Sequence, residues 1–254
     1  MIPSLPKRNG WGGNEDLVLF QGLWIYPFML PGILSAQQQF QAQPADIIVC
    51  SAPKTGTTWL KSLIFATMTR TSFDDSTSPL LSKMPHDVVP FMEFDHARFC
   101  THRELGVPLL ATHVPHSLLP QSIIDSGCKI VYICRDPKDT LFRYIISLPG
   151  ASYYGPYWDH VLGYWKASLE HPERFLFFKY EELMEDTVLY VTKLATFIGH
   201  PFSSEEQRKG MPEKIVEMCS FDHLSNLEAN KSGIHRDGMI ENKLYFGKGW
   251  LGTG

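Results

Sequence analysis

Three short runs limit the architecture more than anything else in the chain: D-I-I-V-C at Asp46–Cys50, K-I-V-Y-I-C at Lys129–Cys134 and F-L-F-F-K-Y at Phe175–Tyr180. Each is apolar almost throughout rather than alternating, as strands buried on both faces of a parallel sheet must be. A fourth β-rich run covers Leu109–Val114. Between these runs, apolar residues recur at helical spacing: Trp59, Leu60, Leu63, Ile64 and Met68, then Val188, Val191, Leu194, Ala195 and Ile198. Glu213–Met218 reads as a further short helix. Strands alternating with helices predict an α/β fold, a central parallel sheet flanked by helices. With 254 residues, 44% of them hydrophobic, there is enough chain for a substantial core. The expected organisation is a flexible segment over residues 1–16 and a single domain over 17–254, with a loose Gly-rich end.

Composition excludes several classes of function. A formal net charge of −4 supplies no bulk attraction to nucleic acid or an anionic membrane, so any anion site must be local. The five cysteines include no C-x-x-C pair, which argues against a disulfide framework or zinc and for a reducing, cytoplasmic location. The apolar stretch Leu17–Leu34 is interrupted by Gln21, Gly22, Pro27, Pro31 and Gly32, and two prolines four apart would break a lone helix. It is expected to pack in the core or wall an apolar pocket rather than cross a membrane.

The segment V-C-S-A-P-K-T-G-T-T-W-L-K-S-L, Val49–Leu63, places a loop between a buried strand and an amphipathic helix. Backbone N–H groups and the helix dipole favour an anion at such a junction. Gly56 lets the backbone approach it, the Thr57 and Thr58 hydroxyls can donate to it, and Lys54 supplies a point charge. A Walker loop has its lysine after the last glycine; here it comes before, which disfavours an ATP-hydrolysing site. The bland alternative is a tight turn with an incidental lysine.

P-K-T-G-T-T-W resembles the 5′-phosphosulfate loop of the cytosolic sulfotransferases, which transfer a sulfuryl group from 3′-phosphoadenosine-5′-phosphosulfate (PAPS) to a hydroxyl. Y-I-C-R-D-P-K-D-T resembles that family's 3′-phosphate segment, and A-T-H-V-P the strand with its catalytic histidine. Y-G-P-Y-W-D-H-V-L-G-Y-W-K-A-S-L-E and M-C-S-F-D-H-L-S-N-L-E-A-N look like the plant branch, and the resemblance runs from about Leu17 to Lys248. It implies a P-loop-like nucleotide fold with His113 as general base and Lys54 stabilising the leaving phosphate. Lys54, Thr55, Gly56, Thr57, Thr58 and Trp59 would cradle the nucleotide's 5′ side. Arg135, Arg143 and Gly247–Gly249, with Lys248, would meet its 3′-phosphate, and Tyr180 its adenine region. Cys219, Ser220 and Phe221 fall where the family contacts the base. Phe20, Trp24, Tyr26, Phe28 and the aromatics of Tyr153–Trp165 would line an apolar acceptor pocket, though ordinary core packing reads equally well. The implied partner is a small hydroxyl acceptor such as a flavonoid or steroid. Nucleic acid, membrane and metal are not expected, and the chain is expected to be a monomer or weak homodimer.

For several of these residues the structural alternative stays open. A histidine near a strand end is often structural, Arg135 could form a salt bridge with Asp136 or Asp139, and Tyr180 could be core. His86, His96 and His160 carry no motif support. The chain also departs from the family pattern. Arg143 stands where a serine is usual, only a short segment beginning at Tyr144 separates it from the Y-G-P-Y-W motif, and R-K-G appears as Gly247, Lys248, Gly249 ahead of the end at Gly254. The alternative to a working enzyme is therefore a catalytically impaired sulfotransferase-fold relic that binds nucleotide or a partner without turnover. A nucleotide kinase or NTPase is a more distant reading, separable by magnesium dependence.

Overall fold

A computed structural model of the chain describes residues 4–9, 16–95, 103, 106–140, 154–235 and 240–246. The chain opens with an antiparallel meander, β1 (Lys7–Asn9), β2 (Asp16–Phe20) and β3 (Leu23–Ile25). There follow helix α1 (Leu30–Gln39), strand β4 (Ile47–Ser51), helix α2 (Thr57–Thr69), β5 (Leu109–Thr112), β6 (Lys129–Cys134), helix α3 (Tyr157–Glu170) and β7 (Phe175–Lys179). Helices α4 (Thr187–Phe197) and α5 (Met211–Met218) are the main later elements. The chain packs as two compact units, Met1–Thr57 with Pro90–Glu185 and Thr58–Val89 with Asp186–Gly254, the division falling just inside the start of α2.

In the first unit the four apolar runs form the expected parallel sheet, in the order β5-β4-β6-β7. Its register pairs Cys50 with Thr112, Ser51 with Ile133 and Cys134 with Lys179. All five residues of β4 are buried, which is why this strand could afford no alternation. Core residues from the sheet (Ile48, Cys50, Ile130, Tyr132), from α1 (Ile33, Ala36) and from α3 (Tyr164, Ala167) form one cluster. Tyr132 stacks on Tyr164 at 4.4 Å between ring centroids and on Phe177 at 5.2 Å, geometries that add to simple area burial.

Leu17–Leu34 folds as the β2–β3 turn followed by the start of α1, with Leu17, Val18, Ile25, Leu30 and Ile33 buried. Pro31 lies in the first turn of α1, where its missing N–H breaks no helical hydrogen bond. Gly32 is needed for close approach: a Cβ there would lie 1.7 Å from the Glu93 carbonyl oxygen. The N-terminal stretch expected to be flexible carries β1, which pairs with β2 from Lys7↔Val18 to Asn9↔Asp16, and Leu19 N–H donates to the Pro6 carbonyl at 2.9 Å. Propensity gives little hint of this strand, because its three residues are polar and exposed and its order comes from the backbone ladder alone.

In the second unit, Val191 and Leu194 of α4 and Ile215 of α5 supply buried apolar surface. Asp186 caps α4 by accepting from Leu189 N–H, and Ser203 with Glu206 forms a capping box on Ser204–Arg208. Glu206 also accepts from Arg70 Nε at 2.7 Å, and these donors hold its carboxyl down at about 2. Among the described residues no helix is long and apolar enough to cross a membrane.

Candidate active site at the carboxyl ends of the sheet

Each strand of the parallel sheet is followed at its carboxyl end by a residue singled out in the sequence. β5 ends at Thr112 and His113 follows; β6 ends at Cys134 and Arg135 follows; β7 ends at Lys179 and Tyr180 follows; β4 leads into the lysine–glycine loop. Strand order reverses around β4, which has β5, the next strand in the chain, on one side and β6 on the other. Open α/β sheets bind ligands outside the carboxyl ends of strands at such a switch point.

The loop from β4 to α2 is sharply bent, with Lys54 at φ 67° and Gly56 at φ 112°. A lysine in the left-handed region is uncommon and carries strain, which the surrounding loop must hold. At Gly56 both backbone and space demand glycine: an added Cβ would meet Tyr180 Cδ2 at 2.8 Å and Cε2 at 3.2 Å. The first turn of α2 contains no acidic residue, so no carboxylate offsets the positive end of its dipole.

The three threonines of the loop serve different ends. Thr55 is fully buried and its hydroxyl donates to the Ala52 carbonyl at 2.7 Å, also reaching the Ile133 carbonyl at 3.3 Å. That hydroxyl is engaged in holding the loop to the end of β6, leaving Thr55 its backbone N–H for a ligand. Thr57 Oγ1 lies 2.6 Å from Ser51 Oγ. The Thr58 hydroxyl lies 3.2 Å from His86 Nε2.

His113 is half-buried, and its Nδ1 lies 2.8 Å from the Ser51 carbonyl oxygen. A carbonyl only accepts, so the proton sits on Nδ1 and Nε2 carries the lone pair. The contact follows from register: Cys50 pairs with Thr112, so the next residues, Ser51 and His113, meet where the strands end. Ser51 Oγ also approaches Nδ1 at 3.3 Å, joining the histidine to Thr57 through one residue. The imidazole lies 4.8 Å from the Phe91 ring and 6.2 Å from the Tyr154 ring, centroid to centroid.

Two groups behind His113 were given no site role from the sequence. Glu93, 2% exposed, accepts the His113 backbone N–H at 2.8 Å and the Tyr154 hydroxyl at 3.1 Å on the same oxygen, Oε1. His160 Nε2–H donates to the His113 carbonyl at 2.9 Å, while its Nδ1 accepts from the Tyr132 hydroxyl at 2.9 Å. Burial pulls the His160 pKa down to about 4, so the ring is neutral near pH 7, as that pattern requires.

On the other side of β4, Arg135 Nε donates to Asp139 Oδ2 at 2.8 Å, the ion pair considered from sequence. Its guanidinium also lies over the Tyr180 ring at 4.1 Å. Tyr180 thus contacts both the arginine and the space above Gly56. Tyr157, from the Y-G-P-Y-W motif, clamps the Arg135 backbone, its hydroxyl accepting from the N–H at 3.0 Å and donating to the carbonyl.

Other expected site residues are placed less directly. Trp59 is half-buried in the first turn of α2. Cys219 is buried, with its thiol pushed up by desolvation, Ser220 caps Phe221–Asn226, and Phe221 is 40% exposed. Among the acceptor-pocket candidates, Tyr154 is buried beside His113 and Tyr164 lies in the core, donating to the Val114 carbonyl at 2.6 Å. Phe28 at 51% and Trp158 at 66% are largely exposed. Phe20, Trp24 and Tyr26 are half-buried. Arg143, Tyr153, Gly247, Lys248 and Gly249 lie outside the described residues. No group of three or more His, Cys, Asp or Glu among the described residues could hold a metal ion.

Comparison with known proteins agrees with this arrangement. The family model described as "Sulfotransferase domain" matches residues 44–253. A "flavonol sulfotransferase-like" protein of Flaveria bidentis is 47% identical, covering 98% of this chain and 88% of its own length. The crystal structure of an Arabidopsis thaliana steroid-sulphotransferase candidate aligns with a TM-score of 0.71 at 36% identity, covering 91% of this chain and 86% of that one. A mouse sulfotransferase complexed with PAP aligns at 0.66 and 25% identity, covering 93% and 86%. With the parallel sheet, the strand–loop–helix junction and the whole-length likeness in agreement, the chain belongs to the sulfotransferase family.

Proposed function

We propose that the chain transfers a sulfuryl group from PAPS to a hydroxyl of a small apolar acceptor, in the flavonoid or steroid range, in a reducing, cytoplasmic compartment. The observation that carries the reading is the His113–Ser51 contact beside the loop, which leaves Nε2 as a lone pair at the carboxyl ends of the strands. The names of the plant relatives support the acceptor class, and the PAP bound to the mouse relative supports the donor. Four described cysteines are free thiols, in keeping with a reducing location. Residues 17–254 would act as one sulfotransferase domain.

The fit to the donor rests on chemistry in this chain. The sharply turned backbone at Gly56, the helix start without acidic residues, and the cations Lys54 and Arg135 suit a nucleotide bearing anions at two positions. When bound, PAPS supplies an activated sulfuryl group on a phosphate leaving group. His113 Nε2 takes the proton of the acceptor hydroxyl as that oxygen bonds to sulfur. Lys54 and the α2 backbone N–H groups neutralise charge growing on the bridging oxygen as its bond to sulfur breaks. The products are a sulfate ester and 3′,5′-adenosine diphosphate. Transfer of this kind asks mainly for positioning and electrostatic stabilisation, and the residues present can supply both.

The test is calorimetric titration with 3′,5′-adenosine diphosphate beside a Lys54→Ala variant, followed by turnover with a flavonol acceptor and PAPS. Micromolar binding is expected, weakened about tenfold to a hundredfold by losing one charged contact of roughly 1.5–3 kcal/mol. Turnover should fall about 10²–10³-fold in the variant. Nucleotide binding without turnover, or no binding by a folded chain, would overturn the catalytic reading in favour of the relic.

A further inference from the structure

Lys61 is fully buried, an unusual state for a lysine, and the loop chemistry above gives it no part. It stands one turn along α2 from Thr58, on the same face. Its Nζ donates to the Val89 carbonyl at 2.9 Å and lies 3.0 Å from His86 Nδ1. His86 is itself 2% exposed, packed against the Tyr245 ring at 4.4 Å, and its Nε2 lies 3.2 Å from the Thr58 hydroxyl.

This chain of contacts has a direction. An ammonium only donates, so His86 Nδ1 must accept, and the proton of the neutral ring is on Nε2. Nε2–H then donates to Thr58 Oγ1. The threonine oxygen acts as acceptor toward His86 and keeps its own proton to donate elsewhere. With the opposite tautomer, Thr58 would give its proton to His86 and offer only lone pairs to an anion. Lys61 therefore decides whether Thr58 attracts or repels a phosphate oxygen.

We propose that Lys61 and His86 are positioning residues that fix the polarity of the Thr58 hydroxyl, so that its proton is held for a phosphate oxygen of the sulfuryl donor. This role rests on the nucleotide reading given above. It explains why a cation is kept on the buried side of α2, where a well-packed hydrophobic residue would serve stability as well or better.

Two measurements test it. In the free full-length chain with ¹⁵N-labelled histidine, long-range proton–nitrogen correlation should show His86 as the Nε2–H tautomer; an Nδ1–H tautomer overturns the role alone. The second is a double-mutant cycle of Lys61→Met and Thr58→Val titrated with 3′,5′-adenosine diphosphate. Lys61→Met should weaken binding about three- to tenfold when Thr58 is present and have no further effect in the Thr58→Val background. Equal losses in both backgrounds would show that Lys61 does not act through Thr58. No binding by the unsubstituted chain would overturn the donor reading and this role with it. If Lys61→Met does not fold, the tautomer in the unsubstituted chain still decides.

Discussion

At the scale of single residues, Ser51 touches both His113, the proposed base, and Thr57 of the proposed donor loop. Its carbonyl sets the His113 tautomer and its hydroxyl meets Thr57. Ser51→Ala keeps the carbonyl and removes the hydroxyl, so the base should keep its tautomer while Thr57 loses its partner. The expected result is a fall of about fivefold in kcat/KM, one hydrogen bond of about 1 kcal/mol, with the His113 nitrogen shifts unchanged. Gly56→Ala should act more severely. The positive φ and the collision with Tyr180 oppose it together, and nucleotide titration should show binding lost in a chain about 1–3 kcal/mol less stable to urea. The motif residues Lys54, His113 and Arg135 were legible because their chemistry and their neighbours in sequence agree. Ser51, Glu93 and His160 were not, since their roles arise only when β4, β5 and α3 are brought together. Sequence assigned the donating hydroxyls to Thr57 and Thr58, but could not show that the Thr55 hydroxyl is turned to the Ala52 carbonyl.

At the scale of elements, α1 shows how a distant contact reaches the site. Alanine in place of a helical glycine ordinarily stabilises by about 0.5–1 kcal/mol. At Gly32 the new methyl would collide with the Glu93 carbonyl, and overpacking costs about 1–3 kcal/mol or more, so the clash wins. Gly32→Ala should lower the urea midpoint and also reduce turnover, because Glu93 is the group that holds the His113 backbone N–H and Tyr154. A purely structural effect would lower the midpoint with kcat/KM of the folded fraction unchanged. The strands themselves were readable to within a residue or two from their unbroken apolar runs. β1 was not, because three exposed polar residues carry no pattern and its order depends on pairing with β2.

At the scale of the whole molecule, buried neutral histidines couple stability to pH. His160 is held at about 4 against an ordinary 6.5, with burial as the main cause. The unfolded chain therefore binds more protons than the folded one between those values, and stability rises with pH through that window. The His160 contribution is complete above about 6.5 and is lost as pH falls toward 4. Acidification from pH 7.5 to 5 should cost about 2 kcal/mol from this group alone, measurable by urea unfolding at the two values. His116 and His200 are also lowered by desolvation and add to the same slope. His160→Gln should flatten the acid limb, and a variant as steep as the parent would show that other groups carry it.

The junction at Ser51 has a kinematic consequence. His113 and Thr57, the base and a donor-side hydroxyl in the function proposed above, hang from one residue at the end of a fully buried strand. A shift of Ser51 would be passed to both through these contacts. Ser51 is a common anchor for both, and in the proposed transfer the gap between base and donor would be gauged by a single amino acid rather than by the sum of many parts.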